Sequence, residues 1–332
     1  MSEVLRYLGI GLETSPGTAV AADIHVDVAS SGIDSPSNPL IAYPGGLGRA
    51  PRIHRPGPYV SQGPAEFAAD VDTIGYALIL AFGGDPVITG PVGDIYTYSM
   101  IPTLNRLMRT ATFRAGKDLE EFVYPGAAVG GFKLTVEKGY AMITLDIVGG
   151  KDQINPAGMT ALADLLLSDA YPMTFVDTSV SLASADRSAH IEKLELTYTN
   201  NPDAEASITM GSRFPRSIWQ GDVGVELAMS IAFNDLTEKR KYWGATDATE
   251  PSADTIYDEE AIITLDSGAT IGRLDLALPK MVYTEVGIQP SGRDRIVQSV
   301  KCAGQFDVTS GAAITATLET KQVITNAVLG AS

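Results

Sequence analysis

Few residues in this chain have the types and spacing that chemistry requires. The three histidines, His25, His54 and His190, lie far apart in the sequence, with no cysteine or second histidine at metal-ligand spacing, so they read as surface or strand-edge residues rather than ligands. GGLG at 45–48 lacks a following Lys-Ser/Thr and opens no helix after a strand, which makes it a flexible turn and not a phosphate cradle. No G-x-S-x-G elbow exists to expose a nucleophile. Cys302 falls on the apolar side of an alternating segment, where a thiol acts as a small buried hydrophobe, and as the single cysteine it has no intramolecular disulfide partner. The carboxylate pairs Asp70 with Asp72 and Glu259 with Glu260 have the side chains for acid–base work, but acids at helix starts and in solvated loops are expected anyway. One basic cluster stands out, RAPRIHRPG at 49–57. Its Arg49, Arg52 and Arg55 sit beside prolines on a stiff arm, and in a protein of net charge -16 the nearest complementary surface is another copy of itself. Catalytic, cofactor-binding and metal-binding residues are therefore expected to be absent.

The elements that would position these residues are mostly strands. In WQGDVGVELAMSIAFNDLTEKRKYWG, 219–244, Val223, Val225, Leu227, Met229, Ile231 and Phe233 alternate with Gly224, Glu226, Ala228, Ser230 and Ala232, the period-2 pattern of a half-buried antiparallel strand. Asn234 or Asp235 then caps a short helix, LTEKRKYWG, that ends at Gly244. The stretch 61–84, SQGPAEFAADVDTIGYALILAFGG, opens on the same Gln-Gly and repeats the grammar: Phe67, Ala69 and Val71 alternate with Glu66, Ala68 and Asp70, Asp72 caps, and an apolar helix ends at Gly83 and Gly84.

The parallel extends in both directions. Residues 132–147 read as a hairpin about Lys138-Gly139, and 300–319 as another about Ser310-Gly311, with Phe306 on the apolar face and Thr144-Leu145-Asp146 matching Thr317-Leu318-Glu319. Upstream, IHVDVASSG at 24–32 matches HIEKLELTYTNN at 190–201. The chain thus reads as a duplication with units at 1–152 and 172–332. Between them, 153–171 offers Asn155 as a cap, Pro156 at the first helical position and an apolar stretch, the signature of a connecting helix. Two long irregular segments remain, 33–62 and the acidic 245–259, and loops of that length in compact β domains are functional or disordered.

With 332 residues, 45% of them hydrophobic, the chain can bury a sizeable core. It has no apolar run of about 18 residues and no basic-then-apolar start, so neither a membrane span nor a signal peptide is expected, and folding in a cytoplasm is. The charge of -16 repels phosphate backbones and anionic lipid, which argues against gripping nucleic acid but not against letting it slide past.

Several segments together resemble the major tail tube proteins of long, flexible-tailed bacteriophages: ADVDTIGYALILAFGG at 69–84, VGGFKLTVEKG at 129–139, LELTYTNNPDA at 194–204, MGSRFPRSIWQGDVGVELAMSIAFND at 210–235 and LPKMVYTEVGIQPSG at 278–292. The resemblance covers most of the chain and rests on patterns spread over two halves. It implies a mainly β fold: two similar antiparallel sandwich or barrel tube domains, each with a flanking short helix, and long loops. It further implies rings whose inner strands join in a continuous barrel, stacked into a conduit for genome ejection. A duplicated chain reaches the pseudo-sixfold ring with three copies. The implied partners are the chain itself, a tape measure protein and other tail proteins, and double-stranded DNA that passes without specific binding, with no membrane insertion. The location is the virion tail, assembled in the host cytoplasm.

Six domains of four strands, roughly 24 strands about 4.8 Å apart and tilted about 45°, give a wall about 50 Å across and a bore of roughly 40 Å, which admits a duplex. Lysine or arginine in contact with phosphate would add affinity through counterion release, so the bore is expected to be acidic and small-polar. The candidates are Glu66, Asp70 and Glu226 from the strands before the helices, and Glu137, Asp146, Asp307 and Glu319 from the hairpins. One set suffices, and the first is favoured because Gly224, Ala228, Ser230 and Ala232 leave a smooth surface around Glu226. Arg49, Arg52 and Arg55 are expected to meet carboxylates of the adjacent ring as the 33–62 segment orders. The runner-up is a carbohydrate-binding or adhesin-like β protein. It would require a cluster of exposed aromatics, whereas Trp219 and Trp243 flank the helix motif as core or interface residues.

Overall fold

The computed structural model describes residues 5–34, 40–43, 53–288, 295–324 and 327–328. The first half supplies β1 (Arg6–Leu12), β2 (Ile24–Ser31), β3 (Leu40–Ala42), β4 (His54–Pro56), β5 (Gln62–Ala68), α1 (Thr73–Phe82), β6 (Val87–Val92), β7 (Ile95–Met100), β8 (Ala111–Lys117), β9 (Glu120–Val136), β10 (Met142–Gly149) and β11 (Gln153–Ile154). The second supplies β12 (Thr178–Leu182), β13 (Ala185–Asp186), β14 (Ile191–Thr199), β15 (Gly224–Ala232), α2 (Thr237–Tyr242), β16 (Asp258–Asp266), β17 (Gly272–Ile288), β18 (Val297–Gly304) and β19 (Thr315–Thr320).

Alternation sets the faces as the sequence implied. In β15, Val225, Leu227, Met229 and Ile231 are buried, while Glu226 is exposed among smaller residues. In β5, Ala65 and Phe67 are buried between Pro64, Glu66 and Ala68. The ladder β1-β2-β5-β10-β9-β8 closes on itself, antiparallel throughout, into a six-stranded barrel. Its second-half counterpart runs β12-β16-β17-β18-β15-β14 in the same order, but β12 and β14 form no ladder, so this ring is open. Bulges fall at matching points. β8 slips between Ala111 and Phe113 and β16 between Glu259 and Ala261; β2 slips between Val28 and Ser30 and β14 between Ile191 and Lys193. These coincidences fix the equivalence residue by residue.

Both helices pack on their rings, on chemically different seats. All ten residues of α1 are buried, as its apolar circumference requires, and Gly83 in the left-handed region (φ 69°) returns its N–H to Ile79 O at 2.9 Å. In α2 the equivalents of Ile74 and Ala77 are Glu238 and Lys241, and by strand register the counterparts of the buried Ala111 and Val129 are Glu259 and Tyr283. Lys241 Nζ reaches Glu259 Oε1 at 2.9 Å and Glu238 Oε2 at 3.6 Å, Arg187 reaches Glu238 at 3.0 Å, and the Tyr283 hydroxyl lies against both carboxylates.

The halves are welded along β9 and β14, which pair from Leu194↔Val136 to Thr199↔Gly131. Tyr198 stacks on Phe132 (5.5 Å between centroids) and meets Phe82 edge-on at 5.1 Å, and Asn200 donates to Ala81 O at 2.6 Å.

Four expectations are corrected. The 153–171 segment is not a helix: Asn155 and Gly158 close a turn, only Leu162–Asp164 is 3-10, and the chain then runs extended beside β2, with His25 N–H donating to Leu166 O at 2.8 Å. That contact buries His25, expected at the surface or at a strand edge. The 300–319 hairpin does not form. After the Asp307–Ser310 turn β19 leaves β18 for β17 and β7, Phe306 is exposed, and the true counterpart of Asp146 is Lys301. Asp72 holds the N-cap position of α1 as expected, but its side chain makes no capping bond; the side-chain cap comes from Asp70, whose carboxylate accepts the N–H groups of Asp72 and Thr73 at 2.9 Å.

Candidate functional site

Because β9 pairs with β14, the two halves share one antiparallel ribbon of eight strands, β2-β5-β10-β9-β14-β15-β18-β17. One face carries the core. The other bears Glu66, Asp146, Lys133, Thr197, Glu226, Lys301 and Glu285, brought to a common side by their register: Glu66 faces Thr144, Thr144 faces Lys133, Lys133 faces Thr197, Thr197 faces Glu226, and Lys301 faces Glu285. Small residues fill the space between them, among them Ala68, Ala228, Ser230, Ala232 and Ser299.

Every lysine on this face is engaged. Lys133 pairs with Glu195 at 2.9 Å, Lys193 with Glu137 at 3.5 Å and Lys301 with Glu285 at 2.7 Å. Glu66, Asp146 and Glu226 add three carboxylates with no lysine of their own, so the face is anionic. Partial burial pushes the Asp146 carboxyl above the usual carboxylate range.

The seven proposed lining residues divide. Glu66, Glu137, Asp146 and Glu226 come to this one face, because β5 and β10 are neighbours in it, and the two sets thought alternative merge. Asp70 does not reach it: it is buried beneath the start of α1, and burial raises its carboxyl against the lowering effect of its capping bonds. Asp307 lies in the turn after β18, where hydrogen bonds from Ser310 hold it below the usual range. Glu319 stands opposite Arg273 on β19, outside the ribbon. The reading missed Glu195 and Glu285, although alternation in HIEKLELTYTNN already places Lys193, Glu195 and Thr197 on one side. Arg49 and Arg52 lie outside the described residues; Arg55 is exposed on β4, opposite Ile41 of β3.

Elsewhere the titratable clusters serve structure. Glu121 is fully buried. Burial alone would raise its pKa, but donors from Tyr7, Thr160 and Arg114 hold it below the usual range, and Asn155 adds a bond at 2.8 Å; together they pin the 153–167 strap. Cys302 is buried and its thiol is pushed up by that burial. Among the described residues no group of three metal-ligating side chains converges, and no helix is long and apolar enough to cross a membrane.

The chain is thus a mainly β scaffold that presents a broad anionic face on an eight-stranded ribbon. The sequence model of the phage tail tube protein family matches residues 5–319, nearly the whole chain, and the chain belongs to that family. It is a structural protein of the phage tail, in a family not normally enzymatic, where tube proteins assemble with themselves and with other tail proteins. No curated protein matches it.

Proposed function

We propose that three copies of this chain form a pseudo-sixfold ring, and that rings stack into the tail tube of a long, flexible-tailed phage, through which the genome is ejected. The observation that carries this reading is the eight-stranded ribbon, polar on one whole face, whose end strands β2 and β17 run on past their outer partners β1 and β16. Three ribbons supply roughly 24 strands, which at about 4.8 Å spacing and about 45° tilt enclose a wall about 50 Å across. The anionic face then lines the bore, Glu66, Glu137, Asp146 and Glu226 among its residues. A duplex bearing one negative charge per about 1.7 Å slides past carboxylates and paired lysines, whereas free lysines would hold it through counterion release. Before ejection a tape measure protein fills the same space.

Stacking is assigned to the β3–β4 hairpin. Leu40, Ile41, Tyr43 and Ile53 are all exposed there beside Arg55, an apolar and basic surface suited to the carboxylates of an adjacent ring. Electron microscopy of purified protein tests the reading as a whole. Stacked rings of three chains with pseudo-sixfold symmetry are expected; rings of six identical chains, or a bore whose charge is mainly Lys and Arg, would overturn it.

A further inference from the structure

The weld between β9 and β14 inside the chain has a counterpart that the chain leaves open. β17 is the equivalent of β9. Its Met281–Ile288 stretch pairs with β18 as β9 pairs with β10, but the edge corresponding to the one on which β9 receives β14 carries no strand beyond Val282 among the described residues. At the far end of the ribbon, β2 is the equivalent of β14. Residues 32–34 bond to β5 through Gly32 N→Pro64 O and Asp34 N→Gln62 O, and among the described residues no strand pairs with their other edge.

Both open edges hold a lysine. Lys239 Nζ donates to Val286 O at 3.1 Å, and Lys117 Nζ donates to Ile33 O at 2.7 Å, alongside the Tyr124 hydroxyl at 3.0 Å. At the occupied junction the equivalent positions hold no cation: Gly75 stands for Lys239, Leu265 for Lys117 and Leu278 for Tyr124. A lysine on an exposed edge strand satisfies a carbonyl that would otherwise template unwanted pairing. Here lysines occur at the open edges and are replaced by Gly and Leu where the strands already pair.

We propose that the β17 edge receives the 31–34 end of β2 from a second copy in the register of the internal weld, and that Lys239 and Lys117 cap these edges in the lone chain until the partner strand displaces them. The proposal rests on the ring reading above and specifies its contact. Leu196↔Leu134 of the weld maps to Ile33↔Ile288, an apolar pair on the core side, and Thr197↔Lys133 maps to Asp34↔Gly287 on the exposed face. The Lys133–Glu195 bridge of the weld maps to Gly287 and Gly32, so the contact between copies lacks that ion pair. The copy-to-copy junction is thus backbone-driven and less sensitive to salt than the internal one.

Cysteine pairs read the register. Asp34→Cys with Gly287→Cys, under mild oxidation, should give covalent products ending at a closed set of three chains. Asp34→Cys with Glu285→Cys, two residues out of register and beyond disulfide reach, should give little. A Cβ at Gly287 meets only the Ser299 Oγ closely, at 2.7 Å, which a rotamer change relieves, and Cys302 is buried and does not compete. Lys239→Met should lower the protein concentration needed for assembly about tenfold, the scale of one lost charge-assisted hydrogen bond, while Lys239→Arg should leave it near wild type. Rings that form without the Asp34–Gly287 bond, or with the offset bond instead, overturn the register and leave the tube standing. An unchanged threshold in Lys239→Met overturns the capping role. Absence of both rings and cross-links overturns the ring reading with it.

Discussion

The seats of α1 and α2 are the same place built twice from opposite materials. Around α1, Ile74, Ala77, Ala111 and Val129 are apolar and buried; around α2, Glu238, Lys241, Glu259 and Tyr283 occupy the equivalent positions as a buried ionic cluster. The backbone tolerates either solution, since the bulge beside Ala111 recurs beside Glu259. The difference lies in how each seat fails. An apolar seat loses area in proportion to what is removed, whereas an ionic seat loses little until one partner is missing and then exposes the remainder to an uncompensated charge.

The largest effect should come from breaking that balance. Lys241→Met leaves Glu238 and Glu259 buried without their shared cation, and should cost about 3–5 kcal/mol of unfolding free energy in a denaturant melt. The fourfold exchange Glu238→Ile, Lys241→Ala, Glu259→Ala and Tyr283→Val, which installs the first-half seat in the second half, should cost less than that single change. If the exchange is worse, the two seats are not equivalent. Trimming the apolar seat, Ile74→Ala, should cost about 2–4 kcal/mol with no special dependence on pH.

A smaller effect separates the halves by pH. Burial holds the His25 imidazole below its ordinary pKa, so the unfolded chain takes up the proton first as pH falls. The stability it contributes is complete above the unfolded value of about 6.5 and declines below it. His25→Phe should remove that decline. Glu121, also held low, should continue the loss as pH falls through about 4.3, where an unfolded glutamate is half protonated. The smallest effect is expected on the ribbon face: Glu195→Gln breaks a half-exposed pair with Lys133 and should change stability by less than about 1 kcal/mol.

How much of this was legible depended on the range of the interaction. Period-2 alternation gave β5, β14 and β15 and the polar side that Glu66 and Glu226 share, because a strand's faces are set by its own residues. The β9–β10 hairpin at Lys138-Gly139 was legible for the same reason. Which strands pair was not. Ser310-Gly311 signals a turn and a turn forms there, but β19 then finds its partners in β17 and β7 instead of β18, a choice made by distant surfaces. The polar helix start misled similarly, since Asp70 and Asp72 are both capping residues by type, and only the three-dimensional path decides that Asp70 is the one turned inward. Nor could a helix signal at Asn155-Pro156 outweigh the Glu121 network that pulls the following residues into an extended strap.

The pairing of β19 with β7 also sets a clock on biosynthesis. The Tyr98 hydroxyl donates to Gln322 O at 3.1 Å across 224 residues of chain, and β7 has no partner on that side until those residues exist. At about 5–20 residues per second a ribosome needs roughly 10 to 45 s to supply them. Throughout that interval the β6–β7 hairpin, with Val87, Ile88 and Val92 exposed even in the finished fold, waits with its inner edge unpaired. The nascent first half is therefore the form most in need of chaperone cover, and emergence of β19 from the ribosome is the event that ends the need.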